Sequence, residues 1–495
     1  MKARIIPEIM EVLKRNTDAL RQQRPIRVLQ FGGGNFLRAF TDWMIDILNE
    51  KTDFQGDVLV VKPTERGDYE ALRSQEGLFH VLLNGIEKGE LKEEISCVSC
   101  VQQIIHPYKE WESFIASAQN PDLRFIISNT TESGIVYLPG EAKPTTQCPK
   151  EFPAKLSYWL WARYEHFKGV ADKGCIILPL ELVEENGAKL KAAVLSYAQE
   201  WELGKGFEEW IDQHNTFCNT LVDRIVSGYP VEKAASIQEQ LAVEDQLLVA
   251  GEIYHSWIIE GPDFLQNELP FEQTNLNIQL VDALDIHRQI KVRILNGAHT
   301  SMVPIGLLAG VELVSEAINH PLIALYLKGL FDQEVITNID YDKAYLQAFA
   351  DDVIDRFKNP HIRHQLISIS LNSTSKFVSR LLPTFKDHLK NQKALSVHIC
   401  FAWAALICLY RGEWKGKLFS LKDDPERLSF FRQQWEKFTD NYLNLVNEIL
   451  SESAIWGEDM TKIPELTSAI AGFVELIDKH GMEEALTYLL HDISR

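Results

Sequence analysis

Through the first 280 positions, apolar residues fall into short continuous runs separated by stretches with helical spacing. The runs at 25–32 (PIRVLQFG), 56–64 (GDVLVVKPT), 123–132 (LRFIISNTTE) and 174–182 (GCIILPLEL) have strand length and are rich in Val, Ile and Leu. Between the first two lies 36–50 (FLRAFTDWMIDILNE), where Phe36, Ala39, Phe40, Trp43, Met44 and Ile47 mark one helical face. Continuous apolar strands alternating with helices predict a parallel sheet covered on both faces. From about Val281 the pattern changes to amphipathic or fully apolar helix, including the run 394–410, which contains His398. That run is short for a bilayer span and reads as a buried helix. The expected fold class is α/β: a Rossmann-like dinucleotide-binding domain at 1–280, then a mostly α-helical substrate and catalytic domain at 281–495. The segment 228–271 reads as a small appendage between them, and a cleft between the two domains is the expected ligand site.

Composition narrows the function classes. The 495 residues carry 50 Lys and Arg against 70 Asp and Glu, a net charge of -20. Such a chain is not expected to bind nucleic acid or an anionic membrane, and any anionic ligand needs a locally positive site. Seven scattered cysteines do not suggest a disulfide framework and fit a reducing compartment. Cys97 and Cys100 are spaced as CxxC within a β-branched run, which reads as strand rather than metal site. No metal is expected. The N-terminal stretch has no signal-peptide pattern, so a cytoplasmic protein is expected, as a monomer or small homo-oligomer.

Two motifs carry chemistry. Phe31, Gly32, Gly33, Gly34, Asn35, Phe36, Leu37 and Arg38 follow the first strand and open a helix. Gly32 supplies a tight turn and Gly34 lets backbone approach a pyrophosphate, with N–H groups from Asn35 onward facing the anion. The third glycine of GxGxxG is replaced by Leu37. The acid that often binds the adenosine ribose is absent after the second strand: Lys62 stands there, with Glu65 beyond it, leaving the choice between NAD and NADP open. Thr130, Thr131 and Glu132 end another strand on the same sheet edge and are candidate cofactor contacts.

The second motif is Lys291-Val-Arg-Ile-Leu-Asn296-Gly-Ala-His299. On an α-helix Asn296 and His299 are neighbours, with Lys291 about a quarter turn from His299. A desolvated lysine serves as general base, and the other two can polarise a carbonyl. Gly297 in mid-helix suggests close approach by another segment.

Together these motifs resemble the polyol-specific long-chain dehydrogenase family, which includes mannitol 2-dehydrogenase. GGGNFLRA matches its G-x-G-x-F-x-R-A turn, and KVRILNGAH its K-x-x-x-x-N-x-x-H helix. QFGGGNFLRAF, SNTTESGI, PLELVEENG, KVRILNGAHTSMVPIGLLAG and RFKNPHIRHQLISISLNSTSKF resemble its branch that interconverts D-altronate and D-tagaturonate. The resemblance implies metal-independent hydride transfer with NAD in hexuronate catabolism. Lys291 would be the general acid/base, and Asn296 and His299 would hold the substrate oxygen. Fructuronate reduction and mannitol-type polyol oxidation are the alternatives within the family.

Two positions depart from the polyol pattern. Counted back from Asn186-Gly187, the family's substrate-binding Asn is Leu182, preceded by Glu181. Nine residues after Asn359, where an Arg is usual, stands Ser368. A keto-hexuronate or aldonate carries a carboxylate, for which Arg356, Arg363, His364 and Lys376 are candidate partners, with Glu181 a further substrate-side candidate.

Overall fold

The computed structural model describes residues 10–15, 23–131 and 133–493. The chain folds as two compact units. One runs to Leu284 without Gly85–Glu90; the other comprises Gly85–Glu90 and the chain from Asp285.

The first unit is built on six parallel strands: β1 (Ile26–Phe31), β2 (Asp57–Val61), β3 (Val101–Ile105), β4 (Phe125–Ser128), β5 (Ile176–Pro179) and β6 (Thr216–Phe217). Their spatial order is β3-β2-β1-β4-β5-β6, with every pairing parallel. The order reverses beside β1, so ligands are expected at the carboxyl ends near β1 and β4. Side chains alternate between two cores. Val28, Val58 and Val60 face the core that holds Phe40 and Met44, and Leu29, Phe31, Leu59 and Val61 face the one that holds Trp159 and Leu160. Both faces are therefore covered, which is why these strands read as unbroken apolar runs.

The segment 228–271 is not an appendage. Val249–Glu252 pairs in parallel with Phe79–Glu87, and Ser256–Glu260 lies between Asn219–Asp223 and Ile278–Val281 in a three-stranded sheet. Cys97 lies in the strand Glu90–Val98, whereas Cys100 sits just before β3 and donates through Sγ to the Asp42 carbonyl.

The second unit is helical apart from the short pair Glu413–Trp414 and Lys417–Leu418 and the hairpin turn 85–90. At its centre the apolar helix Val397–Leu409 packs against Leu466–His480. His398 is tolerated there because Glu334 accepts from its ring Nδ1 at 2.9 Å and from its backbone N–H at 2.7 Å. No helix among the described residues is long and apolar enough to cross a membrane.

Candidate active site

The glycine turn connects β1 to a helix, α1, that runs over 35–51. It begins as α-helix at Asn35–Leu37, widens to a π-helix at Arg38–Asp42 and returns to α-helix at Trp43–Lys51. Gly32 has φ +124°, and a Cβ there would lie 2.7 Å from Leu37 Cδ1, so the position requires glycine. Gly33 donates its N–H to the Tyr69 hydroxyl at 2.9 Å. Gly34 caps α1 in extended conformation without a side-chain cap, and a Cβ built on it meets nothing within 4 Å. Open space therefore lies over the positive end of a helix, and the turn fits the pyrophosphate of a dinucleotide.

Buried polar groups brace this turn from below. Gln30 donates Nε2 to the Gly32 carbonyl at 3.1 Å and to Asp42 Oδ2 at 3.3 Å, while Thr41 Oγ1 donates to Gln30 Oε1 at 3.2 Å. Complete burial pushes the Asp42 carboxyl up to about 7. Arg38 donates to Asn35 Oδ1 at 2.7 Å and to the Leu247 carbonyl, and its guanidinium lies 5.3 Å from the Phe79 ring centre. Burial lowers the Arg38 pKa; Asp245 is the foremost counter-charge acting on it. Burial also favours a neutral Asp245. Hydrogen bonds from His80, Gln75 and Leu247 outweigh it and hold the carboxyl below its usual range.

Lys62 is 5% exposed rather than a surface lysine. Its Nζ donates to Thr64 Oγ1 at 2.8 Å and lies 5.4 Å from the centre of the Tyr69 ring, and burial lowers its pKa. At the end of β4, Thr130 donates its N–H at 2.9 Å and its hydroxyl at 3.0 Å to Glu181 Oε1, and Ser128 Oγ donates to Oε2 at 3.1 Å. Glu181, expected beside the substrate, is thus buried and occupied in holding the β4 edge. Thr131 is exposed, with its hydroxyl 3.1 Å from that of Ser133. Glu132 lies outside the described residues.

In the second unit the motif helix, α2, spans 285–308. It too contains a π-helix, at Val292–Asn296, where the Gly297 N–H reaches back to the Val292 carbonyl. This alters the geometry expected from an ordinary α-helix. Five residues of α-helix would place Lys291 and Asn296 about 140° apart around the axis. A π turn, with its i→i+5 hydrogen bond, winds less per residue and narrows that angle. Asn296 and His299 remain one α turn apart. Lys291, Asn296 and His299 are all partly exposed. The His299 ring stacks on Phe357, with centres 4.2 Å apart, and meets His364 edge-on at 5.4 Å.

The candidate carboxylate partners separate clearly. Arg363 is exposed. Arg356 is buried on the helix Lys343–Lys358, where its charge acts on Asp352. His364 touches the His299 ring, and burial, with Lys376 nearby, lowers its pKa. Lys376, on α3 (Ser373–Arg380), donates to the Ile369 carbonyl at 2.8 Å. Arg380, which no sequence motif marks, donates Nη1 at 3.3 Å to Thr300 Oγ1, the side chain next to His299. Its spacing of four residues from Lys376 is the one signal that points to it.

Residues 26–273 match the mannitol dehydrogenase Rossmann domain, and residues 283–478 match the mannitol dehydrogenase C-terminal domain. The chain belongs to the mannitol dehydrogenase family. It is therefore a dehydrogenase of the class that acts on CH–OH groups. Altronate oxidoreductase of Bacillus subtilis (strain 168) is 42% identical over 478 residues, covering 96% of this chain and 98% of that protein. Altronate oxidoreductase of Escherichia coli O6:K15:H31 is 41% identical over 468 residues, covering 94% and 97%. Among solved structures, a substrate-free D-sorbitol dehydrogenase superposes with a TM-score of 0.78 at 20% identity, covering 96% of this chain and 97% of the other. Pseudomonas fluorescens mannitol 2-dehydrogenase, in ternary complex with NAD and D-mannitol, superposes with a TM-score of 0.62 at 20% identity, covering 98% and 97%. At that identity the two structures speak for the fold alone.

Proposed function

We propose that this enzyme interconverts D-altronate and D-tagaturonate with NAD(H), without a metal, in hexuronate breakdown. The observation that carries this reading is the 42% identity to an altronate oxidoreductase across 96% of the chain. The site chemistry agrees with it. Gly32, Gly34 and the first N–H groups of α1 would hold the pyrophosphate, and Arg38 would fix Asn35 at the mouth of the turn. Phe31, Gly33, Phe36 and Leu37 shape that turn, while Thr130 and Thr131 stand at the β4 edge for the nicotinamide half.

Bound NADH supplies the hydride that reaches the keto carbon. In reduction, the Lys291 ammonium gives a proton to the oxygen as negative charge develops on it. Asn296 and His299 donate hydrogen bonds to the same oxygen, stabilising charge that is absent from the ground state. In oxidation, the Lys291 amine accepts the alcohol proton. The π turn supports this division of labour because it narrows the angle between Lys291 and Asn296 around α2. Lys376 stands as a cation beside His364, whose ring meets that of the candidate catalytic histidine, and a uronate would bring an anion to it.

Seven free cysteines, with no disulfide among the described residues, support a reducing, cytoplasmic setting. The enzyme acts alone or as a small homo-oligomer on a small-molecule substrate. The test is a matrix of NADH or NADPH with D-tagaturonate, D-fructuronate and D-fructose, read by reduced-nicotinamide absorbance with EDTA present. Fastest turnover with NADH and D-tagaturonate is expected. Preference for D-fructuronate or the neutral ketose would overturn the assignment.

A further inference from the structure

Helix α3 carries two partly buried cations, Lys376 and Arg380, four residues apart and so on the same helical face. Lys376 is held by a backbone carbonyl and Arg380 by a hydroxyl. Among the described residues neither makes a direct ion pair with a carboxylate, in a chain with a surplus of 20 acidic charges. Asp423, the acid that reaches α3, is already engaged. It accepts from the Thr374 backbone N–H at 3.2 Å, from the Thr374 hydroxyl at 2.9 Å and from the Tyr410 hydroxyl at 2.5 Å. Two partly buried like charges one turn apart repel each other unless an anion joins them.

The position of Arg380 ties this anion site to the candidate chemistry. Its Nη1 contacts Thr300 Oγ1, and that hydroxyl donates in turn to the Asn296 carbonyl at 2.9 Å. Its own carbonyl lies 3.8 Å from where a Cβ of Gly297 would stand, so the small residue at 297 lets the end of α3 approach α2 closely. The guanidinium thus bonds the residue that follows His299 in the chain, and His299 in turn meets His364. Its other N–H groups have no protein acceptor among the described residues, and their planar fork matches the two oxygens of a carboxylate.

We propose that Arg380, with Lys376 one turn before it, holds the carboxylate of the substrate and makes the site prefer a uronate to the matching neutral ketose. The inference rests on the uronate reading above and adds the residue that enforces it. Wild type, Arg380→Leu and Arg380→Lys are compared by initial rates with D-tagaturonate and with D-tagatose, together with KM for NADH and the melting temperature. In Arg380→Leu the ratio of kcat/KM for the uronate over the neutral ketose should fall about 30-fold, mostly through KM for the uronate. Arg380→Lys should recover part of that ratio, since the charge remains and the fork does not. An unchanged ratio, or equal losses with both substrates, would overturn the role of Arg380. A wild-type enzyme that uses D-tagatose as well as D-tagaturonate would instead remove the uronate reading itself. If Arg380→Leu fails to fold, the Arg380→Lys ratio decides: indistinguishable from wild type, it refutes the fork; lowered for the uronate only, it supports it.

Discussion

Around the glycine turn the charged groups find most of their partners inside the protein. Arg38 meets the Asn35 side chain, the Leu247 carbonyl and the Phe79 face, and Asp245 gathers donors from His80, Gln75 and Leu247. Along α3, by contrast, the hydrogen bonds of Lys376 and Arg380 among the described residues go to a carbonyl and a hydroxyl. The first arrangement is a finished scaffold, rigid before any ligand arrives, and suits a cofactor bound through backbone N–H groups. The second is a pair of like charges one helical turn apart, which an anion would join. Both candidate sites share one device: a π-helical turn next to the residues that matter, Arg38–Asp42 in α1 and Val292–Asn296 in α2. Such turns insert one extra residue into a helix and re-aim the side chains beside it.

The sharpest way to separate scaffold from chemistry is Lys291→Ala. Loss of the proton donor should lower kcat by about 10³-fold or more, while NADH affinity, followed by fluorescence titration, stays near wild type. Turnover within tenfold of wild type would remove Lys291 from the reaction. Next in size is Gly32→Ala, aimed at the finished scaffold. The positive φ and the contact with Leu37 Cδ1 should destabilise the protein by about 2 kcal/mol and weaken NADH binding. A variant that melts and binds as wild type would show that the turn tolerates a side chain.

The smallest effect concerns Asp42, a fully buried carboxyl below the turn whose Oδ1 has no hydrogen-bond partner. Burial lifts its carboxyl from 3.8 to about 7, against opposing effects of Gln30 and Arg38 and with Asp46 adding to the rise. The folded state therefore holds a proton that the unfolded chain gives up. This contribution to stability is complete below about pH 4, declines as pH rises, and is gone above about pH 7. Asp42→Asn, a mimic of the protonated acid, should melt with a flatter pH profile, its advantage over wild type growing across that window. Parallel melting curves would place a charged Asp42 in the native protein at neutral pH.

Much of the fold is legible in the sequence. The four Val/Ile runs form β1, β2, β4 and β5 because strands buried on both faces must be apolar throughout, and glycine spacing marks the turn between β1 and α1. Other features are hidden for physical reasons. The pairing of Val249–Glu252 with Phe79–Glu87 joins segments some 170 positions apart, and no local pattern reports it. The π turns insert a residue that no local pattern reports, so α-helical spacing sets Lys291 and Asn296 wider apart around the axis than the actual helix does. Glu181 reads as a ligand-facing acid because its partners, Ser128 and Thr130, lie at and just beyond the end of another strand. Arg380 escapes notice because only the fold reveals which cations of an acidic chain lack a carboxylate.

The central claim is that α3 completes its charge with the carboxylate of a sugar acid. Calorimetric titration of the NADH-loaded enzyme, which cannot oxidise an alcohol, with D-altronate and with neutral D-altritol tests it most directly. The account predicts that D-altronate binds more than about tenfold tighter, with an advantage that shrinks as salt is raised. Equal affinities, insensitive to salt, would contradict it.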